Sequence, residues 1–512
     1  MRVQPSVIKA IAIGLIIAGM TQAASAQQAL WTTYKDAGVR QYDAGNYAEA
    51  ERLIRLALDA AQSFNPEGRR VASTLNDLAR VYEAQGRYSD AEPIYTRALE
   101  IMQASRGPYD AETAAVLNNL AAFYNWLGKG DQVLELFKRS LAATEAQYGP
   151  FDSNTASILN NLAIVYTDLE KFDEAEPLYK RSLAIVQGLY GAQHPDVATH
   201  LSNLATFNTM QGKFDQAEPL FKQSQAIRET MLGKEHPDTA EIYNNLGYLY
   251  YLMGRYDQAE LLLKQSVTIW EKVLGPEHTY LGFSHKSLGL VYRDTGKPDL
   301  AAKHYERALM IFEKSLGANH PNVAKMLQYL AELNFQQGNY ESAEPLLLRE
   351  LAIVEKANGP DRAQVTIPLK ALAELKRAEG KDDEAKVYFK RIYTIRERLV
   401  AVNPNDRNAL NDLAWMQATC PDDEFRDATK AYDNANKAYQ LDRGQGSVYY
   451  NTLAAAYAEN GAYNQAQEWA SKAIAHTKSD RSKKIISDGI KLYQQRTPYR
   501  DDGKVLLTQR AI

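Results

Sequence analysis

Four of the eight histidines, His194, His236, His278 and His320, stand 42 residues apart. Imidazole is a common zinc ligand, so an even row of this kind raises metal chemistry first. Zinc would need the ring nitrogens roughly 3–4 Å apart, since each Zn–N bond is about 2 Å. Each of these histidines falls in a loop before a helical segment, and packed helices lie about 8–10 Å apart. Equivalent rings therefore cannot converge on one ion, and the spacing predicts a loop and capping duty. His200, His285, His304 and His476 share no such spacing.

Paired carboxylates come next, because two acids near one another can act as general acid and base. Asp173/Glu174/Glu176 and Asp215/Glu218 are such clusters, and they recur where helical segments begin. A catalytic pair should belong to one place, so recurrence points to helix starts. In particular, Asp173 and Glu176 read as a capping box, and Pro177 as a first-turn proline. Cys420, the single cysteine, allows no internal disulfide. It reads as the filler of a small apolar slot at a helix end. No glycine-rich phosphate loop and no Gly-x-Ser-x-Gly elbow is present. These residues predict neither catalysis nor a cofactor.

The elements that carry them repeat. The quartet LNDL at 75–78 returns as LNNL at 117–120 and 159–162, LSNL at 201–204 and YNNL at 243–246. HKSL at 285–288, LQYL at 327–330 and LKAL at 369–372 keep the same 42-residue interval. A Gly-x-aromatic-x-x-Ala-Glu string, at Gly86, Gly212, Gly254 and Gly338, keeps it too. A fixed period in the range of about 20–50 residues marks a solenoid of supersecondary units. Within 153–194, Ala156, Leu159, Leu162, Ala163 and Tyr166 fall on one helical face. A second helix, read from Asp173, carries Leu178, Leu183, Ile185 and Leu189. Gly191 suits the helix end and Pro195 the next helix start. Ala121, Ala163, Ala205 and Gly247 mark close approach of the two helices, while Tyr124, Tyr166 and Tyr250 wedge between hairpins.

The LNNLA-x-x-Tyr strings (Leu117–Tyr124, Leu159–Tyr166), the Tyr/Phe-x-x-Ala-Glu-Pro strings and Leu-Gly-x-x-His-Pro together resemble the tetratricopeptide repeat in its 42-residue, kinesin-light-chain-like form. The resemblance covers residues 27–400 as nine units and makes residues 401–512 a similar C-terminal pair, a capping helix over 480–495 and a tail. It implies an all-α fold: a right-handed superhelix, or α-solenoid, of about eleven helical hairpins with a C-terminal capping helix. It also implies a bacterial scaffold whose first helices line a concave groove. In that register Asn119, Asn161, Asn203 and Asn245 point into the groove, with Ser157, Thr199, Thr206 and Tyr248 beside them. An amide both donates and accepts, so this ladder suits the backbone of an extended peptide. Bracing of neighbouring helices is the other duty open to the same asparagines. Basic groove residues of the kind that grip chaperone C-termini are absent from these positions.

The first 26 residues differ. Arg2 and Lys9 precede an apolar stretch, Ala10–Met20, and Ala24-Ser25-Ala26 fits a small-x-small cleavage site. This predicts a signal peptide cleaved after Ala26 and an exported, periplasmic or secreted chain with no membrane span afterwards. Removing it leaves 57 basic against 63 acidic residues, a net charge of −6. No basic run suggests nucleic acid. The expected function is a non-catalytic scaffold for a peptide or protein partner. An architectural role in envelope assembly, secretion or polysaccharide export is the alternative.

Overall fold

The computed structural model describes residues 27–43, 46–65, 67–85, 87–107, 110–126, 133–169, 171–442, 446–477 and 480–501. The expected signal peptide lies outside them, as do Gly86, Glu170 and residues 502–512. Among the described residues there is no strand. The helices are α1 (27–43), α2 (Tyr47–Phe64), α3 (Arg69–Ala84), α4 (Tyr88–Arg106), α5 (Ala111–Trp126), α6 (Val133–Tyr148), α7 (Ser153–Asp168), α8 (Phe172–Tyr190), α9 (Pro195–Met210), α10 (Phe214–Met231), α11 (Pro237–Leu252), α12 (Tyr256–Leu274) and α13 (Thr279–Asp294). They continue as α14 (Pro298–Leu316), α15 (Pro321–Gln336), α16 (Tyr340–Asn358), α17 (Thr366–Ala378), α18 (Asp382–Val402), α19 (Arg407–Thr419), α20 (Ala428–Asp442), α21 (Ser447–Glu459), α22 (Tyr463–His476) and α23 (Asp480–Gln494). The fold is an all-α solenoid of paired helices. The chain divides into two compact units, one running to Gly296 and including Lys314–Leu316, the other formed by Lys297–Glu313 and the chain from Gly317 onward.

In the first unit the quartets supply the core. Leu117, Leu159 and Leu201, and three places on Leu120, Leu162 and Leu204, are buried. Each such leucine contributes about 1.5–3 kcal/mol by leaving water. Ala121, Ala163 and Ala205 are wholly buried. At Gly247 a Cβ would stand 2.9 Å from Leu263 Cγ, so α11 and α12 meet where only glycine fits without a shift. Polar rungs recur at the same interval. Ser140, Ser182 and Ser224, all fully buried, donate to the carbonyls of Ala114, Ala156 and Ala198 in the paired first helix, at 2.8, 2.6 and 2.7 Å. Each rung offsets the desolvation of a buried hydroxyl.

The histidine row caps helices. Nδ1 of His194, His236, His278 and His320 accepts the backbone N–H two residues on, at 3.2, 3.2, 3.3 and 3.1 Å. Among the described residues no cluster of His, Cys, Asp and Glu is arranged to hold a metal. Gly191 ends α8 with φ 78°, the left-handed region glycine favours. The capping box read at Asp173 and Glu176 is not formed. Helix α8 starts earlier, at Phe172, with Lys171 as cap and no side-chain cap bond. Phe172 starts the helix because its ring packs edge-on to Phe207, centroids 6.1 Å apart. Pro177 is thus the sixth helical residue rather than a first-turn proline, and the carbonyl of Asp173 loses its helical donor.

The second unit follows the same grammar. Leu369, Leu372, Ala373 and Leu375 of α17 pack with Phe389, Ile392 and Ile395 of α18. Cys420 is the C-terminal cap of α19 and is buried in that cluster, where burial pushes its thiol up to about 11. It is not poised as a thiolate nucleophile. Helix α23 packs on α21 and α22 through Ile486 and Tyr493, covering the apolar end an open stack would otherwise expose.

Candidate functional site

The first helices of the first unit carry the asparagines, and their side chains run from repeat to repeat. Asn119 Nδ2 donates to Asn76 Oδ1 at 3.0 Å, and Asn161 Nδ2 to Asn118 Oδ1 at 3.1 Å. Asn118 in turn donates to Asn119 Oδ1 at 3.2 Å. In α11, Asn244 donates to Asn245 Oδ1 at 3.2 Å and accepts from Ser284 at 2.9 Å. Asn119 and Asn161 therefore brace successive hairpins with one amide hydrogen each. Asn203 is half-buried on α9. The neighbouring hydroxyls turn back on their own helices: Ser157 to Ser153, Thr199 to Pro195 and Thr206 to Ser202. Thr199 also accepts from Arg228 at 3.1 Å. Tyr248 stacks on Tyr251 with centroids 5.9 Å apart.

Asn161 has a second neighbourhood. It lines a cavity of about 210 Å³ together with Glu83, Ala122, Asn125 and Ile164 of the first helices, Tyr88 and Phe137 of the second helices beside them, and Tyr280. Tyr280 lies far along the chain, in the first turn of α13, and keeps 37% of its surface exposed. It is brought there by His278, whose Nε2 meets the carbonyl of Ala84 at the end of α3. Asn125 donates to Asp168 at 2.8 Å on one side. Burial pushes the Glu83 carboxyl up; the Tyr95 hydroxyl, donating at 2.9 Å, and the Arg80 guanidinium act against that. The cavity is smaller than the roughly 300–1,000 Å³ of small-molecule pockets. Its lining combines aromatic rings with amide and carboxyl groups, a composition that suits one inserted side chain with a polar or cationic tip.

The quartet pattern singled out Asn161 but had no means to find Tyr280, Tyr88 or Glu83. Tyr280 did carry a signal. The residue two places after each capping histidine is Asp196, Asp238 or Asn322 elsewhere, and Tyr only here.

Stacked hairpins that present a polar row of first-helix side chains define an α-solenoid interaction scaffold. The chain belongs to the tetratricopeptide repeat family, whose pattern matches residues 32–104, 112–188, 154–230, 196–272, 238–314, 283–356 and 322–398. Proteins built this way bind other proteins, and this chain is a protein-interaction scaffold of that kind. No curated protein matches it. Among solved structures it is similar to BtubC (BKLC) from P. vanneervenii, at 26% identity, covering 47% of this chain and 93% of that one, with a TM-score of 0.35. It is also similar to a putative kinesin light chain of Podosopora anserina with nearly identical TPR-like repeats, at 28% identity, 39% and 95% coverage and a TM-score of 0.33. A Rap protein complexed with competence and sporulation factor matches at 16% identity, 64% and 98% coverage and a TM-score of 0.45.

Proposed function

We propose that the first unit captures an extended peptide segment of a partner protein, without catalysis, and that one side chain of that segment enters the cavity beside Asn161. The cavity itself is the observation that carries this reading. It opens among first-helix positions, its size suits a single side chain, and its walls combine Tyr88 and Tyr280 with Glu83 and Asn125. The asparagine row then serves chiefly as bracing that holds Asn161 in place, with Asn203, Ser157, Thr199, Thr206, Asn245 and Tyr248 along the path of the bound segment. Hydrogen bonds of about 0.5–1.5 kcal/mol each cannot alone give tight binding, so the inserted side chain supplies the anchor.

A photo-crosslinking amino acid at position 164, used in cells, tests the reading. The adduct identified by mass spectrometry should fall at least tenfold with Tyr280→Ala and with Asn161→Ala plus Asn203→Ala, at unchanged helicity. An adduct insensitive to all three changes moves the site elsewhere. We also read the protein as exported after cleavage at Ala26, on the strength of the apolar stretch and the Ala-Ser-Ala site. Gln27 should then be the first residue of the protein isolated from the envelope or medium. An intact Met1 overturns export.

A further inference from the structure

Among the described residues that line the cavity beside Asn161, Glu83 is the one with an ionisable acid or base. It stands eight places after Leu75, where the following first helices carry Asn125, Thr167, Thr209, Tyr251 and Arg293. A carboxylate at this register is particular to α3, so no duty shared by the repeats accounts for it. The fully buried Tyr95 holds one carboxylate oxygen by donating at 2.9 Å. Burial still pushes the carboxyl up, against that bond and the Arg80 charge. A carboxylate out of water is costly unless a cation stands against it.

The charges around Glu83 do not supply that cation. Arg80, one turn earlier on α3, lies over the Tyr42 ring, 4.6 Å from its centroid, and acts on Glu83 by charge and not by a hydrogen bond. Lys35 is paired with Asp77 at 2.9 Å. Glu241, whose charge reaches Tyr280, is paired with Arg228 at 2.8 Å. His278, whose ring meets Tyr280 edge-on at 4.7 Å, is kept neutral by burial and adds no competing cation. A second acid, Asp168, accepts from Asn125, and burial pushes its carboxyl up as well, against that one bond.

The rest of the lining fits a long cationic side chain. Ala122, Phe137 and Ile164 offer apolar surface to a methylene stem. The rings of Tyr88 and Tyr280 suit a guanidinium plane, which stacks on aromatic faces. Asn125 and Asn161 commit an amide hydrogen to Asp168 and Asn118, which leaves their amide oxygens as acceptors. With Glu83 they make three acceptor-bearing groups for a planar fork of donors. The compact, strongly hydrated ammonium of lysine matches this set less well.

We propose that the side chain entering the cavity is an arginine of the partner, and that Glu83 is the residue that selects it. The assignment rests on the cavity being the anchor site of the captured segment. A neutral or acidic anchor would leave the Glu83 carboxylate desolvated without a counter-charge, so the cavity discriminates against both.

Random linear peptides displayed on phage and panned on the immobilised full-length chain test this. Counter-selection on the Tyr280→Ala chain keeps only cavity-dependent sequences, and these should share one aligned arginine. The best of them, labelled with fluorescein and followed by anisotropy, should bind roughly tenfold or more weakly when citrulline, a neutral isostere, replaces that arginine. Glu83→Gln, at unchanged helicity, should weaken the arginine peptide by a similar factor and leave the citrulline peptide unchanged. Equal binding of the two peptides by the unaltered chain overturns the proposal independently of any variant. Any other aligned residue overturns it too, and either result leaves the cavity standing as the anchor site. Recovery of no Tyr280-dependent peptide overturns both.

Discussion

His278 joins two distant places with one ring: Nδ1 accepts the N–H of Tyr280 at 3.3 Å, and Nε2 meets the carbonyl of Ala84, 194 positions earlier. Both contacts require the neutral tautomer with its proton on Nε2. Protonation would place a second N–H against the Tyr280 amide and end the cap.

His278→Asn should separate the two duties. Asparagine caps well, so α13 keeps its start while the bond to Ala84 is lost, at about 0.5–1.5 kcal/mol. Burial holds the imidazole below its ordinary 6.5. A folded value below the unfolded one makes this contribution complete above about 6.5 and lost as pH falls through the lower folded value. Urea midpoints of the two proteins should differ most above pH 6.5 and converge on acidification. A gap that does not shrink would sink the assignment.

Glu350 gives the opposite slope in the second unit. It is buried on α16, its Oε2 has no hydrogen-bond partner, and burial pushes its pKa up to about 8 against the opposing Lys325 charge. A folded value above the unfolded 4.5 means that stability is complete below about 4.5 and declines as pH rises through 8. Glu350→Gln should flatten that decline, read as urea midpoints at pH 5 and pH 9. Parallel slopes in both proteins would refute it.

Ser182 sits 2.6 Å from both the Ala156 carbonyl and His200 Nδ1. Ser182→Ala leaves two buried acceptors or donors unmatched and should cost about 1–3 kcal/mol. His200→Phe added to it should cost less than the sum of the single changes, because the two share one bond. Strict additivity in calorimetry would show that the pair is not coupled.

Two glycines near the end of α8 should respond with opposite signs. Gly191 has φ 78°, so Gly191→Ala should destabilise by about 1–2 kcal/mol. Gly188 is helical with open space around its missing Cβ, so Gly188→Ala should stabilise by roughly 0.5–1 kcal/mol. Thermal midpoints moving the same way would contradict the backbone argument.

What was legible in the chain is what repeats. Leu117 and Leu159 announce buried helical faces, and the histidine row was read as loop and cap, because each depends on neighbours a few residues away. The serine rungs at 140, 182 and 224 were equally periodic, yet a serine in a helix resembles a solvated one until its partner carbonyl is placed. At the start of α8 an acidic pair advertises a cap, whereas the ring contact of the half-buried Phe172 with Phe207 draws the first turn one residue earlier. Tyr280 at the cavity and the docking of Asp501 on Lys370 are set by contacts across many residues. No local pattern encodes such a pairing.

The bond between His278 and Ala84 also turns the first unit into a counter. Nearly every other rung links residues about one period apart or less, so whole 42-residue units could be gained or lost without breaking it. Removing one unit between positions 84 and 278 would carry His320 into the capping place of His278, with Asn322 where Tyr280 had been. The clasp would still close and the cavity would lose its far wall. Folding alone therefore leaves the number of repeats between these two points open, and it is the wall contributed by Tyr280 that depends on it.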